Sequence, residues 1–133
     1  MPRLTVLMPT YNVAPWVEES IRSVLNQTYR DFELLVVDDA STDDTLDHVR
    51  AINDPRIRIA AFPNNVGLAE NLNRGLDIID TELVARMDGD DIAEPDWLEI
   101  GIKVLDTHPE IGICSFGFQF FGAKTSLVCF PEH

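Results

Sequence analysis

Cations are scarce in this sequence: 10 Lys and Arg stand against 23 Asp and Glu in 133 residues, a formal charge of -13. Sequence-independent nucleic-acid binding needs clustered Lys and Arg to neutralise phosphates, so that partner class is excluded, and anionic membrane surfaces are disfavoured for the same reason. Cysteine is nearly absent. Cys114 and Cys129 sit in apolar surroundings without CxxC spacing or a histidine at ligand distance, which reads as two buried, reduced thiols, with a disulfide or a reactive thiol as the alternative. No apolar run approaches the roughly 18 residues of a membrane span. Met1 to Met8 leads into a strand-like segment without a signal-peptide pattern, so a cytoplasmic location is expected. Linkers, low-complexity tracts and internal repeats are also missing. One domain over 1–133 is therefore expected, long enough to bury roughly two-thirds of its unfolded surface without disulfides or a structural metal.

What the sequence has is an alternation of short β-branched runs with helical patterns. Leu4 to Met8, Phe32 to Val37, Ile57 to Phe62, Leu83 to Met87 and Ile111 to Phe121 read as strands, with Thr125 to Phe130 able to pair back on the fifth. Leu34 to Val37 is continuously apolar, as in a strand covered on both faces of a parallel sheet. Between the strands, Pro15 opens a helix with Trp16, Val17, Ile21, Val24 and Leu25 on one stripe. Ser41 and Asp44 have capping-box spacing ahead of Leu46, Val49 and Ile52. A third helix carries Leu68, Leu72, Leu76 and Ile79. A fourth starts at Pro95, carries Leu98, Ile102 and Leu105, and ends before His108-Pro109. With right-handed crossovers this predicts an α/β fold: an open, mainly parallel sheet with helices on both faces.

In such sheets ligands lie beyond the carboxyl ends of the strands. Pro9-Thr10-Tyr11-Asn12 follows the first strand, Asp38-Asp39-Ala40-Ser41 the second and Asp88-Gly89-Asp90-Asp91 the fourth. Five carboxylates thus converge on one edge, where like charges raise one another's pKa unless a cation or donors offset them. A hard divalent ion held by oxygen ligands resolves the crowding, and it would also let this acidic chain take an anionic ligand. Gly89 leaves room for close approach. Asp39, Asp88 and Asp90 read as site residues, Asp43 and Asp44 as helix-start residues, and Asp38 and Asp91 fit either role. His48, His108 and His133 read as structural or solvated.

Taken in order, Pro9-Thr10-Tyr11-Asn12, Val36 to Asp43, Asn65-Val66-Gly67-Leu68 leading into Asn73-Arg74-Gly75, and Asp88-Gly89-Asp90-Asp91 before Pro95 resemble the family 2 glycosyltransferases of the GT-A fold, from the N-terminus to about Gly117. The resemblance implies a Rossmann-like nucleotide-binding half. There Pro9, Thr10, Tyr11 and Asn12 line the donor pocket, with Tyr11 near the base, and Asp39 of the Asp38-Asp39 pair accepts from a uracil-type ring. Asp88 lies near the ribose or the metal, and Asp90 is the metal ligand beside Gly89, with Asp91 behind it. Asn73 belongs to the donor-binding set. The implied cofactor is Mg²⁺ or Mn²⁺ and the implied donor a UDP-sugar or another nucleotide-diphosphate sugar. The implied reaction is inverting transfer to an acceptor hydroxyl, the acceptor being an unidentified carbohydrate or lipid-linked molecule. Leu72 stands where many members carry Arg. Arg74 points about 200° away from it around a helix, two steps of a 3.6-residue turn. No residue matches the family's catalytic base, which follows the fifth strand, so the chain reads as truncated before it. The alternatives are a non-catalytic nucleotide-sugar-binding or partner-interaction module and, ranked lower, a nucleotidyltransferase. The cluster Phe116, Phe118, Phe120 and Phe121 is a candidate homodimer surface.

Overall fold

The structure, a computed structural model, describes residues 1–121 and 126–128. It contains two compact units, Met1–Leu98 and Glu99–His133. In the first, β1 (Leu4–Thr10), β2 (Phe32–Asp39), β3 (Ile57–Phe62) and β4 (Leu83–Arg86) form a four-stranded sheet in the order β3-β2-β1-β4. Every neighbouring pair is parallel, with Leu4 opposite Phe32 and Leu83, and Leu34 opposite Ile57. The helices are α1 (Val17–Leu25), α2 (Thr45–Arg50), α3 (Leu68–Asp77) and α4 (Trp97–Thr107), the last containing the boundary between the units.

Strand order fixes where the helices go. From β1 to β2 to β3 the chain steps in one direction, and from β3 to β4 it steps back across the sheet. With right-handed crossovers, α1 and α2 then share one face and α3 takes the other. Side-chain alternation agrees. Leu7, Leu35 and Val37 form a core beneath α3 with Ala60, Phe62, Leu72 and Ile79. Val6, Met8, Leu34 and Val36 point to the opposite face and are fully buried. The reversal of direction between β1 and β4 is the topological switch point, where open α/β sheets bind ligands.

Several elements depart from the sequence reading. Trp16 is half exposed (52%) and precedes α1, whose buried stripe is Val17, Ser20, Ile21, Val24 and Leu25. The Ser41–Asp44 capping box does not form, because the Ser41 hydroxyl is taken by Asp38. Leu68 and Leu76 are exposed, and the buried face of α3 is Asn71 and Gly75. A Cβ at Gly75 would sit 2.5 Å from Leu7 Cδ1 and 2.9 Å from Val37 Cγ2, so the helix packs on the sheet at a distance only glycine permits.

In the second unit the expected fifth strand is much shorter. Strand β5 covers only Phe118–Phe120 and pairs antiparallel with β6 (Ser126–Val128), while residues 111–117 have no regular structure. Gly112 and Gly117 interrupt that apolar run, and among the described residues it lacks ladder partners. Cys114 is a free, partly buried thiol. Cys129, His133, Thr125 and Phe130 lie outside the described residues. Among the described residues no helix is long and apolar enough to cross a membrane.

Candidate active site at the strand carboxyl ends

Adjacent residues of a strand point to opposite faces, and that alternation divides the labour of Asp38 and Asp39. Asp38 faces the α1/α2 side and is fully buried. Its Oδ1 accepts from Thr10 Oγ1 (2.8 Å) and Ser41 Oγ (2.6 Å), and its Oδ2 accepts from the Ser41 N–H (2.9 Å). Asp39 faces the α3 side, where Oδ1 and Oδ2 accept the backbone N–H groups of Val66 (2.8 Å) and Gly67 (2.9 Å). Asn65 Nδ2 donates to the Asp39 carbonyl at 3.1 Å, and Arg74 Nη1 stands 3.7 Å from Oδ1. Gly67 has φ +89°, a conformation that favours glycine and that turns its N–H toward Asp39 as α3 begins.

The loops after β1 and β2 are laced together. Asn12, at φ 51°, accepts through Oδ1 from the N–H groups of Thr42 (2.8 Å) and Asp43 (3.3 Å), while its own N–H donates to Ser41 Oγ (3.0 Å). Val13 N–H donates to Thr45 Oγ1 (2.9 Å), and Ala14 N–H to Asp43 Oδ2 (3.2 Å). Desolvation raises the Asp43 pKa, but hydrogen bonds from Thr45 and Ala14 outweigh it and hold the carboxyl below its usual value. Ala40, at φ 61°, is a non-glycine residue in the left-handed region, held between these bonded loops.

The acidic segment after β4 is clamped from α1. Ser20 Oγ donates to the Asp91 carbonyl, and Ser23 Oγ accepts from the Ala93 N–H at 3.0 Å. The fully buried Gln27 donates to the Glu94 carbonyl (2.6 Å) and accepts from the Leu98 N–H (3.0 Å). A Cβ at Gly89 would lie 3.0 Å from Thr10 Cγ2 and 3.1 Å from Val13 Cγ2, so this segment also sits tight against the β1 loop. Carboxylate oxygens of Asp88, Asp90 and Asp91 come within 4.8 Å of one another. Partial desolvation, reinforced by Asp90 and Asp88 and opposed by Arg86, pushes the Asp91 carboxyl above its usual value.

These elements enclose an open cleft of about 300 Å³ at the ends of β1, β2 and β4, bounded across from them by the start of α3. Of the residues singled out from sequence, Pro9, Thr10, Tyr11, Asp39, Asp88, Gly89 and Asp90 line it. Asn12 and Asp38 lie behind that lining and spend their side chains on bracing the loops. Asn73 lies on the exposed side of α3 and is not among the lining residues, and neither His48 nor His108 lines the cleft. Asn71 was not anticipated. It lines the cleft, is almost wholly buried and donates from Nδ2 to the Val37 carbonyl at 2.8 Å, leaving Oδ1 without a partner among the described residues. Its i to i+4 spacing from Gly75 was the available signal, masked by the leucines around it.

Comparison with known proteins agrees with this geometry. The sequence profile of Glycosyl transferase family 2 matches residues 5–127. An uncharacterized glycosyltransferase of Haemophilus influenzae is 40% identical over 112 residues, 83% of this chain and 35% of that protein. The crystal structure of S. aureus TarS 1-349 in complex with UDP superposes with a TM-score of 0.74 at 30% identity, covering 80% of this chain and 33% of the TarS 1-349 chain. The mannosyltransferase PcManGT from Pyrobaculum calidifontis, solved with GDP-Man and Mn²⁺, gives 0.73 at 36% identity, covering 78% of this chain and 32% of that one. The chain thus spans about a third of the length of each of these three matched chains. Parallel sheet, switch-point cleft, ordered motifs and profile all converge: the chain belongs to glycosyltransferase family 2, with the α/β GT-A, Rossmann-like fold.

Proposed function

We propose that this chain is the donor-binding part of a metal-dependent, inverting glycosyltransferase that takes a nucleotide-diphosphate sugar, a UDP-sugar first among candidates. The observation that carries the reading is the convergence of Tyr11, Asp39, Asp88 and Asp90 on one cleft at the switch point. The donor set fits a hard divalent cation. It offers only carboxylate oxygens, with Asp90 and Asp88 as principal ligands and Asp91 within reach, and like charges this close favour a cation among them. Bound there, Mg²⁺ or Mn²⁺ would supply Lewis-acid stabilisation of the departing diphosphate.

The chain's own residues do the rest. Tyr11, half exposed at the cleft wall, offers a ring face to the base. Asp39 is held rigid by Val66 and Gly67, and each of its oxygens keeps acceptor capacity for a ring N–H. Asp38 and Asn12 position the pocket without touching the donor. A homodimer through the Phe-rich segment remains part of the proposal: Phe121 is exposed and Phe116 partly buried, while the side chains of Phe118 and Phe120 lie outside the described residues.

Calorimetric titration of UDP and GDP, each with and without Mn²⁺, tests the reading. Mn²⁺-dependent binding that is lost in Asp39→Ala and in Asp90→Ala supports it. Absence of binding by either nucleotide at any Mn²⁺ concentration overturns it.

A further inference from the structure

The cleft contains few cations for a site that would receive a diphosphate. Among the described residues, two basic side chains pair with cleft carboxylates, Arg74 with Asp39 and Arg86 with Asp88. Arg74 is committed: Nη1 donates to the Asn64 carbonyl at 3.2 Å, and its guanidinium lies 4.6 Å from the centroid of the Phe62 ring, beside Asp39. Leu72 packs into the apolar core under α3 and brings no charge. Arg86 is different. It ends the edge strand β4 two residues before Asp88, and its guanidinium reaches forward to that carboxylate. Nε lies 3.1 Å from Oδ1 and Nη2 3.4 Å from Oδ2, a two-point contact. Both side chains are substantially exposed, 50% and 38%, so the pair is solvent-screened and costs little to open.

We propose that Arg86 is the counter-ion of the Asp88–Asp90–Asp91 cluster in the empty protein and a diphosphate-binding residue in the loaded one. This rests on the donor-site reading given above. The guanidinium contacts both oxygens of Asp88 and so competes with a divalent cation for that carboxylate. When the cation takes Asp88, the guanidinium is released next to the ligated carboxylates, free to meet a diphosphate bound there. A planar fork of N–H donors suits phosphate oxygens in two-point contact. Arg86 and a divalent cation together offset the three carboxylates before an anionic diphosphate arrives, in a molecule with a large acid excess.

Removing Arg86 therefore has opposite effects on two ligands. In Arg86→Gln, Mn²⁺ alone, followed by electron paramagnetic resonance, should bind several-fold more tightly than in wild type, because a competitor and a repelling charge are gone. In the same variant, UDP and GDP at saturating Mn²⁺ should bind about tenfold or more weakly. Uridine and guanosine, which lack the diphosphate, should be unaffected. Arg86→Lys should recover part of the nucleotide affinity. Equal or weaker Mn²⁺ binding by Arg86→Gln, or unchanged UDP and GDP affinity, overturns the proposal while leaving the donor-site reading intact. Wild-type protein that binds neither Mn²⁺ nor either nucleotide overturns both.

Discussion

Asp38 and Asp39 are chemically identical neighbours with different work, and the difference comes from strand alternation. Asp38 has no solvent exposure and accepts three hydrogen bonds from Thr10 and Ser41. Asp38→Ala strands the buried Thr10 hydroxyl and the part-buried Ser41 donors at about 1–3 kcal/mol for each unsatisfied group. Chemical denaturation should show a loss on the order of 3 kcal/mol, whereas exposed Asp44→Ala should change stability little. The acidic segment predicts the reverse sign. Asp91 has a folded pKa above its unfolded value, so the folded protein holds the proton to higher pH than the unfolded chain does. Its contribution is therefore most favourable below the unfolded value and is lost as pH rises through the folded one. In metal-free protein at neutral pH, Asp91→Asn should raise the melting temperature and flatten its dependence on pH. An unchanged melting profile would count against electrostatic crowding in this segment.

The elements were legible where apolar periodicity and burial coincide. β1, β2, β3 and β4 appear where their β-branched runs predicted, with β2 buried along nearly its whole length because helices cover both faces. Legibility failed where something other than apolar patterning decides. Ile111 to Gly117 is apolar enough for a strand but has no ladder partner among the described residues, and Ile113 is 88% exposed. On α3 the leucine stripe suggested the buried face, but the face in contact with the sheet is set by how close the helix can approach, which Gly75 controls. Of the site, the carboxylates at strand ends were visible. The bracing roles of Asn12 and Asp38 and the orphan acceptor of Asn71 were not, since they depend on partners about 30 residues away in sequence. Gly75→Ala isolates the element effect. The added methyl overlaps Leu7 and Val37 and should destabilise by about 1–3 kcal/mol despite the higher helix propensity of alanine. Equal or greater stability would show that α3 can move outward without cost.

For the whole molecule, the acid excess and the fold belong to one account. A charge of -13 is unsuited to an anionic donor until a cation is added, and the switch point gathers Asp88, Asp90 and Asp91 where one can be held. Binding to the folded state alone stabilises it, by about 2.7 kcal/mol at a hundredfold excess over the dissociation constant. Mn²⁺ should therefore raise the melting temperature of wild type and not that of Asp90→Ala. Location is the harder test. In a ¹⁵N-resolved NMR spectrum, substoichiometric Mn²⁺ should broaden the amide signals of Asp88 to Asp91 and of Thr10 and Tyr11 first. Added UDP should strengthen that broadening and shift Val66 and Gly67, whose N–H groups hold Asp39. Broadening centred elsewhere, or UDP shifts that leave Tyr11, Val66 and Gly67 untouched, would contradict a metal-dependent nucleotide site in this cleft.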